Sequence, residues 1–170
     1  MNHFILDASA LVKRYHNEAG AEIVQELTDT LLADEPRRAL VSWSTLAETL
    51  AALNRKKNAE VISQSIYQAI KTRLLLEARE MNILSVTDTT IRDSLGLIEH
   101  HNINASDALF LRQALDWQAQ LPEGDGVVMV AADQRLLRAA ETEGLAMLDP
   151  EQSKVAAVKS FLIPAPDDHT

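Results

Sequence analysis

The sequence contains no cysteine and has few glycines, prolines and aromatic residues. Without cysteine there is no disulfide framework, no thiolate zinc site and no cysteine nucleophile. Five glycines and five prolines in 170 residues exclude a collagen-like or linker-dominated protein. Hydrophobic residues make up 46% of the chain, which is enough to build the core of one ordinary domain.

Positive charge is also scarce, with 16 Lys and Arg against 25 Asp and Glu and a net charge of −9. This balance argues against a protein that binds nucleic acid through a broad basic surface. The chain does not open with a basic segment and a long apolar stretch, and its longest apolar run, residues 127–132, is far shorter than the roughly 20 residues of a bilayer-spanning helix. We therefore expect a soluble, cytoplasmic protein with no membrane contact.

Short apolar runs alternate with segments of helical periodicity, which is typical of an α/β fold with a central parallel sheet and helices on both faces. Helices are also predicted after Asp7 and after Thr87 or Asp88. We expect one domain over residues 1–150 and a C-terminal extension over 151–170, whose end from Ile163 is a flexible tail. The predicted strands are 4–6, 39–41, 83–86, 127–130 and 145–148, and the other predicted helices are 19–32, 45–55, 59–81, 106–118 and 134–143.

Two acidic residues follow predicted strands. Asp7 comes directly after the first strand, and Asp133 follows the apolar run at 127–132. Each is explained equally well as the N-cap of the next helix or as part of a binding site, since ligands of parallel sheets bind beyond the carboxyl ends of the strands. Both roles are compatible, because a capping carboxylate keeps a second oxygen.

Two further acids lie in helices with apolar neighbours. Glu48 is one position from an apolar stripe, and Asp107 lies in a first helical turn, where acids suit the helix dipole. Taken singly, each has an ordinary structural explanation. Several carboxylates without a Cys or His partner favour a hard cation, Mg²⁺ or Mn²⁺, which binds carboxylates, waters and phosphate oxygens.

Four segments resemble, in order and spacing, the motifs of PIN-domain ribonucleases. The resemblance covers about residues 3–148, and the size of the chain is most similar to VapC-type toxins of toxin–antitoxin pairs. It implies a three-layer PIN fold, an RNA substrate, a small antitoxin partner and a homodimer. The segments are Phe4–Lys13, Ser44–Glu48, Ala105–Leu109 and Val130–Leu136.

The resemblance also assigns roles to the acids. Asp7 and Asp107 would be the principal ligands of Mg²⁺ or Mn²⁺, and the catalytic reaction would be RNA hydrolysis by metal-activated water. Glu48 and Asp133 would bind a second ion, hold waters or assist proton transfer. Ser9 corresponds to a small hydroxyl residue that supports the first acid.

The sequence departs from the family pattern at Ala131, where Thr or Ser is common. The segment before Asp133 is also long, and we interpret Gln118–Gly126 as a loop insertion that shapes substrate access. Lys13 and Arg14 follow Asp7 closely, so we expect them on the solvated surface or against RNA phosphate.

Two other functions stay open. A non-catalytic PIN-like module that binds RNA or protein would share this fold. A phosphoryl-transfer domain also places an Asp at a strand end, but here Ser9 stands where such phosphatases have a second acid. The pair His100–His101 is interpreted as a surface helix end, since adjacent helical residues point about 100° apart.

Overall fold

A five-stranded parallel sheet forms the centre of the computed structural model, which describes residues 1–162. The strands lie in the order β3–β2–β1–β4–β5, and every neighbouring pair is parallel. The predicted fold class is confirmed. The strands are Asn2–Leu6 (β1), Ala39–Ser42 (β2), Asn82–Leu84 (β3), Gly126–Val130 (β4) and Ala146–Leu148 (β5).

Eight α-helices among the described residues connect and cover the strands, together with short 3₁₀ turns at Val12–Arg14 and Pro36–Arg38. One face of the sheet packs against α1 to α4 and α8, and the other packs against α5 to α7. The helices are Ala8–Leu11 (α1), Ala21–Asp34 (α2), Trp43–Asn58 (α3), Gln64–Glu80 (α4), Asp88–His101 (α5), Ala105–Gln118 (α6), Gln134–Thr142 (α7) and Val155–Leu162 (α8).

The central strand β1 shows why two helical layers are needed. Phe4 and Leu6 are fully buried in the core beneath α2, and Ile5 between them is buried in the core beneath α6 and α7. Because successive strand residues point to opposite faces, an uninterrupted apolar strand must be covered on both sides.

Helix α4 begins later than its periodicity predicts. The predicted helix over 59–81 starts at Gln64, where the hydroxyl of Ser63 accepts a hydrogen bond from the Ile66 N–H. Glu60 has a φ of +58°, which breaks the helical path after α3. The break lets Ile62 turn inward and pack against Leu53.

The segment Gln118–Gly126 lies at the amino end of β4. The side-chain carbonyl of Gln118 accepts a hydrogen bond from the Val127 N–H at 2.7 Å. Asp125 pairs with the amino group of Met1 at the start of β1. In a parallel sheet this edge is opposite the carboxyl ends of the strands, so the expectation that this segment shapes access to the acids is wrong.

Helix α8 packs on α2 beyond the predicted domain boundary at residue 150. Val158 is fully buried, and the amide of Asn2 donates a hydrogen bond to the Phe161 carbonyl at 2.9 Å. The division at residue 150 stays a prediction, and the predicted tail from Ile163 lies outside the described residues. Across residues 1–162, no helix has the length and apolar character needed to span a membrane.

Candidate metal centre

Asp7 and Asp133 follow neighbouring strands of the sheet and cap the helices that come next. The Asp7 Oδ2 atom accepts a hydrogen bond from the Ser9 N–H at 2.8 Å, at the start of α1. The Asp133 Oδ1 atom accepts from the N–H groups of Arg135 and Leu136 at 2.8 and 3.2 Å, at the start of α7. In both residues, the other carboxylate oxygen has no hydrogen-bond partner within residues 1–162. Asp7 and Asp133 therefore do act as N-caps, and each keeps one carboxylate oxygen available for a ligand.

Asp107 is positioned by the residue that caps its own helix. The side-chain oxygen Oδ1 of Asn104 accepts a hydrogen bond from the Asp107 N–H at 2.9 Å, and the side-chain Nδ2 of Asn104 donates to Asp107 Oδ2 at 2.8 Å. This double contact fixes the carboxylate in the first turn of α6 and leaves Oδ1 to the cleft.

Glu48 enters the same region from α3, on the other face of the sheet. The hydroxyl of Ser42 caps α3, and the buried Thr49 hydroxyl donates to the Thr45 carbonyl at 2.8 Å, so the neighbours of Glu48 are fixed in place. The carboxylate itself lies on the exposed side of the helix. Glu48 therefore lies at the rim of the site.

All four predicted acids line one open cleft of about 370 Å³ at the carboxyl edge of the sheet. The structure therefore brings together every candidate site residue. Among the described residues, no three of these acids place carboxylate oxygens within 4.8 Å of one another. The cleft is wider than a shell of direct ligands, which suits Mg²⁺ because this ion keeps several of its waters.

The acids repel one another in this cleft. The pKa of Asp107 is raised to about 6, first by burial and then by the charges of Asp133, Asp7 and Glu48, while Arg135 opposes the shift. Burial also raises the pKa of Glu48, as does the charge of Asp7, against a hydrogen bond with Ser106. A cation bound between such carboxylates would stabilise their ionised forms.

The donor set fits a hard divalent cation. The four acids offer only carboxylate oxygens, and neither Cys nor His lines the cleft. Mg²⁺ and Mn²⁺ prefer such ligands. The raised pKa values of Asp107 and Glu48, caused first by burial and then by neighbouring acids, show that the ionised forms of both residues are disfavoured in this cleft.

The hydroxyl of Ser9 supports the cleft in a way the sequence did not predict. Its Oγ atom accepts a hydrogen bond from the Ala132 N–H at 2.9 Å and so joins the segment after β1 to the segment after β4. These are the segments that carry Asp7 and Asp133. The departure from the family pattern at Ala131 falls outside the cleft, because Ala131 is fully buried in the core beneath α7.

The family model of the PIN domain matches residues 4–142. The chain belongs to the PIN domain family. This match confirms the membership that the four sequence segments indicate, and it runs from within β1 to the end of α7. No curated protein matches the PIN domain described here.

Three solved structures share the fold of this PIN domain at low sequence identity. PAE2754 from Pyrobaculum aerophilum has a TM-score of 0.64 and 15% identity, over 93% of this chain and 96% of that one. A toxin–antitoxin complex from Klebsiella pneumoniae has a TM-score of 0.56 and 13% identity, over 86% and 96%. VapC20 from Mycobacterium tuberculosis, described as a sarcin–ricin loop cleaving toxin, has a TM-score of 0.58 and 16% identity, over 84% and 96%.

The basic residues that follow Asp7 do not face the cleft of the PIN domain as free cations. Lys13 is 3% exposed, and its Nζ atom lies 2.7 Å from Glu151 Oε1. Arg14 is 5% exposed and pairs with Glu77 and Asp29. Lys13 and Arg14 are therefore neither solvated surface residues nor available to RNA phosphate, so both expectations are wrong.

Two arginines near the site were not predicted to be there. Arg55 lines the cleft, and Arg135 is close enough to lower the pKa of Asp107. A signal existed for Arg55, since it lies seven residues after Glu48 and therefore on the same face of α3, two turns on. For Arg135 the sequence offered only a weaker indication that it lies near the site, namely its position two residues after the capping Asp133.

Proposed function

We propose that this PIN domain protein is a divalent-metal-dependent endoribonuclease. The observation that carries the proposal is the convergence of Asp7, Glu48, Asp107 and Asp133, from four separate elements, in one solvent-open cleft. Perturbed ionisation clustered in a cleft is a physical mark of a functional site. The family match supports a nuclease, and the oxygen-only donor set supports Mg²⁺ or Mn²⁺.

Asp7 and Asp107 would be the principal metal ligands, because both are half-buried and held by hydrogen bonds that leave one oxygen free. When bound, the ion would neutralise phosphate charge and lower the pKa of a water molecule for attack on phosphorus. Asp133 and the rim residue Glu48 would hold ordered waters or a second ion. Arg55, beside the acids, is suited to contact a phosphate oxygen of the strand.

We further propose that the protein is the toxin of a toxin–antitoxin pair. Two of the similar structures are described as a toxin–antitoxin complex and as a toxin, which supports this role. In this proposal the RNA substrate is cleaved in the cytoplasm, a homodimer is the working form, and a small antitoxin protein blocks the cleft. Co-expression with the product of an adjacent short reading frame should then suppress RNA cleavage.

The central test is cleavage of a labelled RNA by the purified protein with Mg²⁺ or Mn²⁺, with and without a chelator. The Asp7→Asn variant should lose at least about a hundredfold of the activity, because a first ligand is gone while the cap is kept. Asp93→Asn, an exposed acid in α5, is the matched control and should cleave at the normal rate. Cleavage that survives the chelator, or full activity in Asp7→Asn, would contradict the proposal.

A calorimetric titration separates the nuclease from a non-catalytic PIN module. The nuclease should bind Mn²⁺ with a heat signal that disappears in Asp7→Asn and persists in Asp93→Asn. If no divalent ion binds the acids and no RNA is cleaved, the fold serves binding alone.

A further inference from the structure

A second polar cleft lies beside the candidate metal centre, between the end of α5 and the outer face of α7. Its volume is about 340 Å³. We call it the His–Arg cleft and define it by its lining residues, which are His100, His101, Asn102, Arg135, Arg138, Ala139 and Thr142. Two arginines and two histidines are among these residues.

Two arginines of the cleft are not neutralised. Arg135 and Arg138 are both exposed, and neither forms an ion pair with any residue from 1 to 162. They lie three residues apart on α7, with Thr142 four residues further, so all three share one helix face. In a chain of net charge −9, two adjacent unpaired arginines are a local site of positive potential.

The His–Arg cleft is joined to the metal centre through α7. Asp133 caps this helix by accepting a hydrogen bond from the Arg135 N–H at 2.8 Å. The guanidinium of Arg135 also lowers the pKa of Asp107 across the acidic cleft. Arg138 lies ~4.5 Å further along the helix axis than Arg135. Arg135 therefore lies next to the acids, and Arg138 lies about one helical turn further from them along α7.

The histidines admit a different interpretation, since ligand atoms of His100, His101 and Glu143 all lie within 4.8 Å of one another. Such a trio resembles a transition-metal site. However, two arginines line the same cleft and would repel a divalent cation. His101 Nε2 moreover lies 2.7 Å from Glu143 Oε1, so these two atoms are already paired with each other. The charges favour an anion over a metal.

We propose that the His–Arg cleft binds a backbone phosphate of the RNA strand whose neighbouring phosphate occupies the metal centre. Arg135 and Arg138 contact the phosphate oxygens, and the exposed side-chain amide of Asn102 supplies a neutral donor. This inference rests on the proposed ribonuclease function and names how that site holds its substrate. Because the contacts reach the backbone, they add affinity without base preference.

The test measures RNA affinity separately from cleavage. The Asp7→Asn protein, which is not expected to cleave RNA, is titrated with a fluorescent single-stranded RNA of mixed sequence at several salt concentrations. Adding Arg135→Gln and Arg138→Gln should weaken binding by about tenfold at low salt and reduce the salt slope by about 1.4, the value for two lost contacts to a single strand. Arg79→Gln, on the opposite helical layer and also without an ion pair among the described residues, is the matched control.

The outcomes distinguish this inference from the proposed function. Unchanged affinity in the double arginine variant, or no measurable RNA binding at low salt, overturns the inference even if the wild-type protein cleaves RNA. Arginine-dependent binding without cleavage by the wild-type protein supports the cleft and contradicts the nuclease. A Zn²⁺ site that calorimetry shows to depend on His101, tested with His101→Gln, and that RNA does not displace would also overturn the inference. With active enzyme, the arginine substitutions should raise KM, because they weaken binding of the RNA strand.

Discussion

Two charge clusters of this molecule have opposite designs. Around Arg14, every charge meets an opposite one: the guanidinium contacts Glu77 and Asp29, and the Tyr15 hydroxyl donates to Glu77 Oε2 at 2.7 Å. In the acidic cleft, four carboxylates line one space, and none of them forms an ion pair with a residue from 1 to 162. The first cluster joins the turn after α1 to α2 and α4 through ion pairs, whereas the acids of the second have no oppositely charged partner of this kind among the described residues.

The pKa shifts follow this difference. Although burial works against it, the hydrogen bonds from Arg14, Tyr15 and Arg73 lower the pKa of Glu77. In the cleft, burial and like charge together raise the pKa of Asp107 to about 6. Acids that are paired with bases stabilise the fold. Acids clustered together lower the free energy of unfolding, and a bound cation would reverse this effect. The position of uncompensated charge therefore marks function more clearly than the amount of charge.

The largest expected effect comes from breaking the paired cluster. Glu77→Ala should lower the free energy of unfolding by about 3 kcal/mol, because it leaves the buried Arg14 without its bidentate partner. Urea unfolding at neutral pH measures the change. Glu80→Ala, at an exposed position of the same helix, should change stability by less than about 0.5 kcal/mol. Equal effects at the two positions would show that the Arg14 cluster does not stabilise the fold.

An intermediate effect is expected from filling the acidic cleft. Mn²⁺ at a hundred times its dissociation constant should stabilise the native state by about 2.7 kcal/mol, since the ion binds the folded protein alone. Thermal unfolding with and without Mn²⁺ measures this, and a chelator should reverse it. Asp107→Asn should remove the response, whereas Glu77→Ala should keep it despite its lower stability. A response that survives Asp107→Asn would place the ion elsewhere.

The smallest effect is a gain of stability on neutralising the cleft. The pKa of Asp107 is about 6 in the folded protein and near 3.8 when unperturbed, so ionisation above pH 4 costs stability in the metal-free protein. With allowance for solvent screening, Asp107→Asn should stabilise by about 1–2 kcal/mol at pH 7. The difference from wild type should vanish below pH 4 and reach its full size above pH 6. Urea unfolding across this range checks the sign, with Asp93→Asn expected to show no such gain.

The gathering of the acids was predictable, and the neutralisation of the bases was not. Asp7 and Asp133 follow adjacent parallel strands, so topology alone brings them to one edge, and the family resemblance adds Glu48 and Asp107. The partners of Arg14 and Lys13 include Glu77 and Glu151, which are 63 and 138 residues away. No local pattern connects residues so far apart, and only the packed structure shows that these bases are used internally.

Errors in the predicted elements have local causes. Residues 59–63 favour a helix by composition, and periodicity alone gives no sign that Glu60 takes a positive φ before Ser63 caps α4. The position of Gln118–Gly126 was predictable in principle. A segment that precedes a strand of a parallel sheet reaches its amino edge, whereas the acids follow strands and lie at the carboxyl edge.

The capping bonds of Asp7 and Asp133 separate the folding role of each side chain from its chemical role. Each uses one oxygen to hold a helix start, and asparagine offers an equivalent acceptor in the same shape. A single base change in either codon would therefore remove a charge and leave the helices intact. One mutation would then be enough to turn such a protein into an inactive but well-folded binding module. This is a short evolutionary route from a protein that cleaves nucleic acid to one that only binds it.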